Sequence, residues 1–351
     1  MKNNKKIKIL FVLKDRFYNK SHSKSYGLIN SSKQVAMFLE KMGYECKIAQ
    51  VVDGNFIDKE VFEFNPNIVI IEALWVSGDK MKELIEIPRY KNIKWVVRVH
   101  SDIGFLSAET LALKYVDDYI NLAKDNLFVS CNNLEFNYYL SKTLHYDFTY
   151  LPNIIEMKFK QPYEEYKPYM NVACFGSLRL LKNQCYQAIC AMEAADKIGK
   201  RLRFHVTIDV DIDNKTEITN PVLKNLEELF EGSYHELVKH NWLENDDFQH
   251  LIRHMDIGLQ LSYTESFNIV AADFVKEGVP IIVSDAIKWM PSIFKTSTVK
   301  YHETIKKIIQ IYRVRKSGIL RWWSRRNLFI YNESAKRDWL IFINRFEKHE
   351  H

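Results

Sequence analysis

"LQLSYTESFNIVAADFVKEGVPIIVSD" (259–285) reads as a strand, a polar turn, a helix and a second strand. The first apolar run stops at Ser262, Glu265 sits in the turn, and Gly278 and Pro280 end the helix before "VPIIVSD". Strand, helix and strand in that order are the repeating unit of a parallel sheet, because a parallel pair needs a crossover connection. A helix that starts just after Glu265 offers first-turn N–H groups without intrahelical acceptors. Its dipole favours an anion such as a diphosphate there. Asp273 follows eight positions later, about two turns along, where its carboxylate could accept from sugar hydroxyls.

The same alternation extends in both directions. In the first half the strand candidates are "IKILFVL" (7–13), "CKIAQVV" (46–52), "NIVIIEAL" (67–74), "KWVVRVH" (94–100), "NLFVSC" (126–131) and "FTYLPN" (148–153). Between the first two, "NSSKQVAMFLEKMGYE" has helical spacing and stops at Gly43. "EMKFKQPYEEYKPYM" (156–170) lacks periodicity and reads as a linker, after which "NVACFGS", "LRFHVTID", "HELVKHNW", "DIGLQLS" and "VPIIVSD" restart the pattern. The expected architecture is α/β, with two doubly wound Rossmann-like domains, 1–155 and 171–325, facing a central ligand cleft. A closing helical segment, 326–351, is expected to pack back toward the first domain. Ligands of such sheets bind beyond the carboxyl ends of the strands.

Composition fits this division. A chain of 351 residues exceeds what one core usually organises, and 47% hydrophobic residues suffice for two. The net charge of +6 favours an anionic ligand or surface without naming one. Five cysteines, with no CxxC pair and no histidine at zinc spacing, imply neither a disulfide framework nor a structural metal. The apolar run near the amino terminus is only a strand long, so no signal peptide is expected, and no run is long enough to span a bilayer. A cytoplasmic location is the expectation.

"FGSLRLLKN" (175–183) places Gly176 and Ser177 at a strand end, followed by Arg179 and Lys182. Alone, that spacing reads as a solvated basic edge. Its position upstream of the 259–285 element is what turns it toward a phosphate. His100 closes a strand in "WVVRVHSDIGF", Gly27 follows the first strand in "SYGLIN", and Glu72 and Trp75 lie at a strand end in "IIEALWV". "DVDID" (209–213) fails the EF-hand template, since Asn214 stands at the glycine position and Asn220 at the terminal glutamate position. No metal site is expected.

The 259–285 segment resembles the Glu-x7-Glu region of retaining GT-B glycosyltransferases, the glycogen-synthase-like and sucrose-synthase-like group, with Asp273 in place of the second Glu. "YLPNIIE" is similar to that family's interdomain turn, and "CFGSLRLLKNQCYQAICAMEAADKIGKRLRFHV" to its Gly-Arg…Lys element. Here Ser177 follows the glycine directly, and the arginine appears later as Arg179. The resemblance implies a catalytic set of Glu265, Lys182, Arg179 and His100. It implies donor contacts at Gly27, Gly176, Ser177, Ser266, Phe267, Asn268 and Asp273, with Glu72 and Trp75 toward the acceptor. It also implies a metal-independent hexosyl- or pentosyltransferase, with a nucleotide-diphosphate sugar, UDP-sugar favoured, as co-substrate.

"EALWV", "RVHSD", "YLPN" and "LKN" further resemble glycosyltransferases of tailed bacteriophages, which would place the enzyme in the host cytoplasm. Between Arg313 and Arg326 stand six basic residues, no acidic ones, and Trp322 and Trp323. That mixture suits a nucleic acid, or a membrane interface. The acceptor expected from it and the phage resemblance is a hydroxymethylated pyrimidine in DNA. A glycan or lipid acceptor, a nucleotide-sugar epimerase and a non-catalytic nucleic-acid-binding protein on the same scaffold are the alternatives.

Overall fold

The computed structural model describes residues 6–15, 26–123, 126–163, 168–209 and 220–347. The chain forms two compact units: one of Met1–Glu156 with Asn332–His351, the other of Met157–Tyr331.

In the first unit the strands are β1 (Lys8–Lys14), β2 (Glu45–Val51), β3 (Ile68–Glu72), β4 (Lys94–Val99), β5 (Leu127–Cys131) and β6 (Thr149–Tyr150). All pair in parallel, in the order β2-β1-β3-β4-β5-β6. The central strands read as continuous apolar runs, not alternating ones, because helices cover both faces of a parallel sheet. All five residues of β3 are buried. Helices α1 (Tyr26–Lys41), α2 (Ile57–Phe64), α3 (Gly78–Glu86), α4 (Ile103–Leu106), α5 (Ala112–Leu122) and α6 (Leu134–Leu144) make the crossovers. Asn133 caps α6 by accepting from the N–H groups of Glu135 and Phe136, and Ser77 caps α3 through Lys80 N–H.

The second unit holds β7 (Tyr169–Cys174), β8 (Arg201–Thr207), β9 (Glu236–His240), β10 (Ile257–Gln260) and β11 (Ile281–Val283), in the parallel order β11-β10-β7-β8-β9. Its helices are α7 (Gln184–Ile198), α8 (Pro221–Phe230), α9 (Asn245–Ile252), α10 (Ile269–Glu277) and α11 (Tyr301–Arg313). Asn220 caps α8 with Pro221 at the first helical position, and Gly278 ends α10 in the left-handed region that favours glycine.

Gly258 decides how closely α10 approaches the sheet. A Cβ there would stand 2.6 Å from the Phe274 ring and 3.0 Å from Ile281 Cδ1. Only glycine lets the Phe274 ring of α10 lie this close to β10.

The last helix differs from the sequence reading. A basic aromatic stretch followed by a separate closing helix was expected; the structure has one continuous helix, α12 (Gly318–Glu347). No glycine or proline follows Gly318 within it, so nothing in the chain interrupts the hydrogen-bond ladder. The boundary between the two units falls inside α12. Its later part belongs to the first unit, where Trp339 donates to Pro152 O at 2.7 Å and Asn332 Oδ1 accepts from Ile155 N at 2.8 Å.

Candidate functional site

In the second unit the chain leaves β7 for β8 on one side, while β10 lies on the other. The carboxyl ends of β7 and β10 therefore form a topological switch point, where doubly wound sheets bind ligands. Gly176 turns there at φ 107°, and a Cβ on it would meet only Val270 Cγ2, at 3.9 Å. The demand for glycine is thus one of backbone conformation, not of space.

Lys182 and Glu265, 83 positions apart in sequence, meet at this point: Lys182 Nζ donates to Glu265 Oε1. Asn268 holds the same carboxylate from the other side, donating Nδ2 to Glu265 Oε1 at 2.9 Å and to Gln260 Oε1 at 2.8 Å. Its Oδ1 caps α10 by accepting from Ala271 N at 2.8 Å. Asn268 adopts φ 67°, a left-handed conformation that asparagine tolerates better than other side chains do. One asparagine therefore ties the helix start, the strand end and the carboxylate together.

Gln187 places the opposite wall. Buried on α7, it accepts from Leu261 N at 3.0 Å and donates to Lys182 O at 2.7 Å. Tyr263 N also donates to Leu181 O at 2.9 Å. The Lys182 segment is thereby stitched to the end of β10. Arg179 is exposed one turn before Lys182, and Ser177 accepts from Gln184 Nε2 at its carbonyl, 3.0 Å away.

Phe267 is buried, its ring stacked between Trp289 and Tyr331 and its carbonyl taken by Trp289 Nε1 at 2.8 Å. Ser266 is half-buried beside it. Asp273 lies inside the fold, 3.5 Å from Lys276 Nζ. Burial pushes its carboxyl up to about 6, aided by Glu277 and opposed by Lys276.

In the first unit, Glu72, Arg98 and His100 form one buried network. Arg98, fully enclosed, donates Nη1 to Glu72 Oε1 at 3.2 Å, Nη2 to Asn153 Oδ1 at 2.7 Å and Nε to Leu151 O at 2.8 Å. Ser32 Oγ donates to Glu72 Oε1 at 3.0 Å, and Ser31 Oγ to Asn153 Oδ1 at 2.9 Å. Burial alone would raise the Glu72 carboxyl; Arg98 and His100 outweigh it and hold it down to about 2. Burial and Arg98 lower the His100 pKa against the pull of Glu72. An ionised carboxylate only accepts, so neutral His100 carries its proton on Nε2, toward Glu72. Its Nδ1 accepts from Asn132 Nδ2 at 3.3 Å.

The sequence reading put Glu72 and Trp75 at a strand end, toward the acceptor. Glu72 is instead enclosed, and the Trp75 indole donates to the Glu72 carbonyl at 2.9 Å. Ala73 between them takes φ 71°, a strained conformation for a residue with a Cβ, held by its N–H on Arg98 O at 2.9 Å. Gly27 is exposed in the first turn of α1, and residues 16–25 before it lie outside the described residues. Of "DVDID", only Asp209 is described; it accepts from Trp242 Nε1 at 2.6 Å. Among the described residues no group of three or more His, Cys, Asp or Glu is placed to hold a metal ion.

The sequence reading missed Arg98, Gln187 and Gln260. Arg98 left a signal, a cation within the apolar run "KWVVRVH" one strand from Glu72, since an enclosed charge needs a partner. Gln187 and Gln260 left none beyond a polar letter in an apolar stretch.

No protein-family model and no curated protein matches the chain by sequence. Solved structures match it by fold. Sucrose-phosphate synthase from Thermosynechococcus elongatus superposes with a TM-score of 0.73 at 12% identity, over 97% of this chain and 99% of that one. A trehalose-6-phosphate synthase solved to study glycosyl transfer with retention gives 0.59 at 12% identity, over 84% and 77%. A TarM variant from S. aureus, in complex with UDP, gives 0.58 at 14% identity, over 79% of this chain and 55% of that one. The two parallel-sheet α/β units of this chain have the fold of the GT-B glycosyltransferases.

Proposed function

We propose that the chain is a glycosyltransferase that moves a sugar from a nucleotide-diphosphate donor to an acceptor hydroxyl with retention of configuration. The observation that carries this reading is the meeting of Lys182 and Glu265 beside Gly176 and the start of α10. A cation, a helix N-terminus and a glycine turn together suit a diphosphate. The carboxylate paired with that cation suits the sugar it carries.

In this reading Lys182, Arg179 and the first-turn N–H groups of α10 stabilise charge developing on the leaving diphosphate. Glu265 contacts the transferred sugar, and Asp273 the ribose. Because Lys182 and α10 supply positive potential, transfer proceeds without a divalent ion. The leaving phosphate itself takes up the acceptor proton, on the face it departs from. UDP-sugars are the favoured donors, since sequence resemblance and UDP-bound fold neighbours both point that way.

The hydroxymethylated-pyrimidine acceptor expected from sequence rested on the phage resemblance and on six cations and two tryptophans between Arg313 and Arg326. Three of them serve the fold: Arg315 pairs with Asp256 at 2.9 Å, Arg321 donates to Gln161, and Arg325 donates to Lys276 O at 2.9 Å. That leaves fewer cations for a DNA backbone, and the reading carried forward is an acceptor hydroxyl without a DNA assignment.

The test is a thermal-shift screen against UDP, GDP, ADP and their sugars, followed by NMR of the product's anomeric configuration. Failure of every nucleotide diphosphate to stabilise the protein sinks the proposal. Inversion at the anomeric carbon sinks retention, and conversion of donor without any acceptor identifies an epimerase.

A further inference from the structure

Within the second unit, α12 turns an apolar stripe to solvent. Ile319, Trp322, Trp323 and Ile330 are all exposed, at helical spacings of three, four and eleven from the first. Phe329 is exposed as well, and Trp322 is 62% exposed. An open groove of about 600 Å³ adjoins the stripe, lined by Phe159, Phe329, Trp322 and the stems of Arg321, Arg325 and Arg326. Exposed indoles and isoleucines in one contiguous stripe mark an interaction surface.

Charge narrows the occupant. Arg313 at the end of α11, Lys316 in the turn that leads into α12 and Arg326 on α12 itself are exposed, and Arg326 lies 5.9 Å from the centroid of the Trp322 ring. No acidic residue occurs from Arg313 until Glu333. A second copy would set like charge against like charge, so the face does not complement itself. A single-stranded nucleic acid would stack bases on the indoles, but Ile319 and Ile330 have no π face to offer and would stay in water. A bilayer uses all three residue types: aliphatics at the acyl boundary, indoles at the headgroup level, cations against anionic phosphates. Among the described residues no helix is long and apolar enough to cross a membrane, so such contact lies along the surface.

We propose that this face of α12 docks on an anionic lipid bilayer, with Trp322 and Trp323 at the headgroup level, Arg326 beside them, and Arg313 and Lys316, which precede the helix, reaching toward the lipid phosphates. The proposal goes beyond the glycosyltransferase reading and stands whether or not that reading holds.

The experiment is co-sedimentation of the full chain with vesicles of phosphatidylcholine alone, or with one part phosphatidylglycerol to three parts phosphatidylcholine. Runs at about 50 mM and about 500 mM NaCl bracket the screening range. Binding is expected only to the anionic vesicles and is weakened by salt. A Trp322→Ala/Trp323→Ala variant loses at least about tenfold in partition. An Arg313→Gln/Lys316→Gln/Arg326→Gln variant loses roughly fivefold per charge and most of the salt dependence. All five side chains are exposed, so both variants keep the wild-type thermal transition, which is checked alongside. Absence of binding to anionic vesicles at low salt, or binding that neither variant changes, overturns the proposal. Binding of single-stranded DNA that is lost in both variants, with none to vesicles, overturns it in favour of a nucleic-acid surface.

Discussion

Asn268 donates to Glu265 Oε1 at 2.9 Å while its own Oδ1 receives Ala271 N at 2.8 Å, so the carboxylate and the first turn of α10 are positioned by one side chain. With Lys182 on the same oxygen, Glu265 is held in place before any ligand arrives. A preorganised charge needs no rearrangement when the reaction begins, and this is where electrostatic catalysis gains most.

Glu265→Gln keeps the shape and removes the charge. Turnover should fall by roughly 10²–10³-fold, the usual effect of losing one preorganised electrostatic contact. UDP affinity should hold or rise, because Lys182 is released from its partner. Parallel kinetics and calorimetry measure the two quantities, and wild-type turnover would remove Glu265 from the site.

Lys182→Ala should weaken UDP binding by about 1.5–3 kcal/mol, the worth of a hydrogen bond to a charged group, and leave uridine binding unchanged. An equal loss for nucleoside and nucleotide would show that the lysine does not reach the phosphates. In wild type, transfer should continue in EDTA; activity abolished by EDTA and restored by Mg²⁺ or Mn²⁺ would return the question to "DVDID".

Glu72→Gln should destabilise the first unit by about 3–5 kcal/mol, because Arg98 is then enclosed without its counter-charge. The pH dependence has a definite sign. The folded carboxyl titrates near 2, below its ordinary value of 4.5, so the stabilisation is complete above about 4.5 and is lost as pH falls toward 2. The denaturant midpoint should fall in wild type as pH is lowered from 6 to 3 and change less in the variant.

Asp273 runs the other way. Its folded pKa of about 6 exceeds the ordinary 3.8, so the folded state loses stability as pH rises from about 4 to 6. Asp273→Asn should remove that decline, on the order of 2–3 kcal/mol relative to wild type across the window. If the ribose reading holds, donor affinity falls in the same variant. An unchanged pH slope would show that the buried carboxyl does not titrate there.

Gly258→Ala tests the seating of α10. The new methyl meets the buried Phe274 ring at 2.6 Å, and overpacking of that kind costs about 1–3 kcal/mol. Since Asn268, which holds Glu265, caps α10, turnover should drop more than the loss of stability explains. Wild-type turnover with a lowered Tm would separate the packing from the site.

The sequence by itself determined the parallel α/β architecture. Apolar runs such as "NIVIIEAL", alternating with helical spacing and glycine stops, are what strands buried on both faces require. It also singled out Glu265, Lys182 and Gly176, through their places at strand ends together with the resemblance of their segments to the Glu-x7-Glu and Gly-Arg…Lys elements. Tertiary structure decided the rest, since those outcomes depend on pairs far apart in the chain. Lys182 and Glu265 meet only because β7 and β10 are neighbours, an adjacency that local periodicity does not encode. Glu72, at a strand end, was drawn inward by Arg98 from the next strand. Gln187 and Gln260 became part of the site's frame through partners 74 and 85 positions away. The continuity of α12 was open to the sequence, which has no helix breaker after Gly318. Which of its side chains remain in solvent was not, because burial is set by what packs against the helix and not by the helix itself.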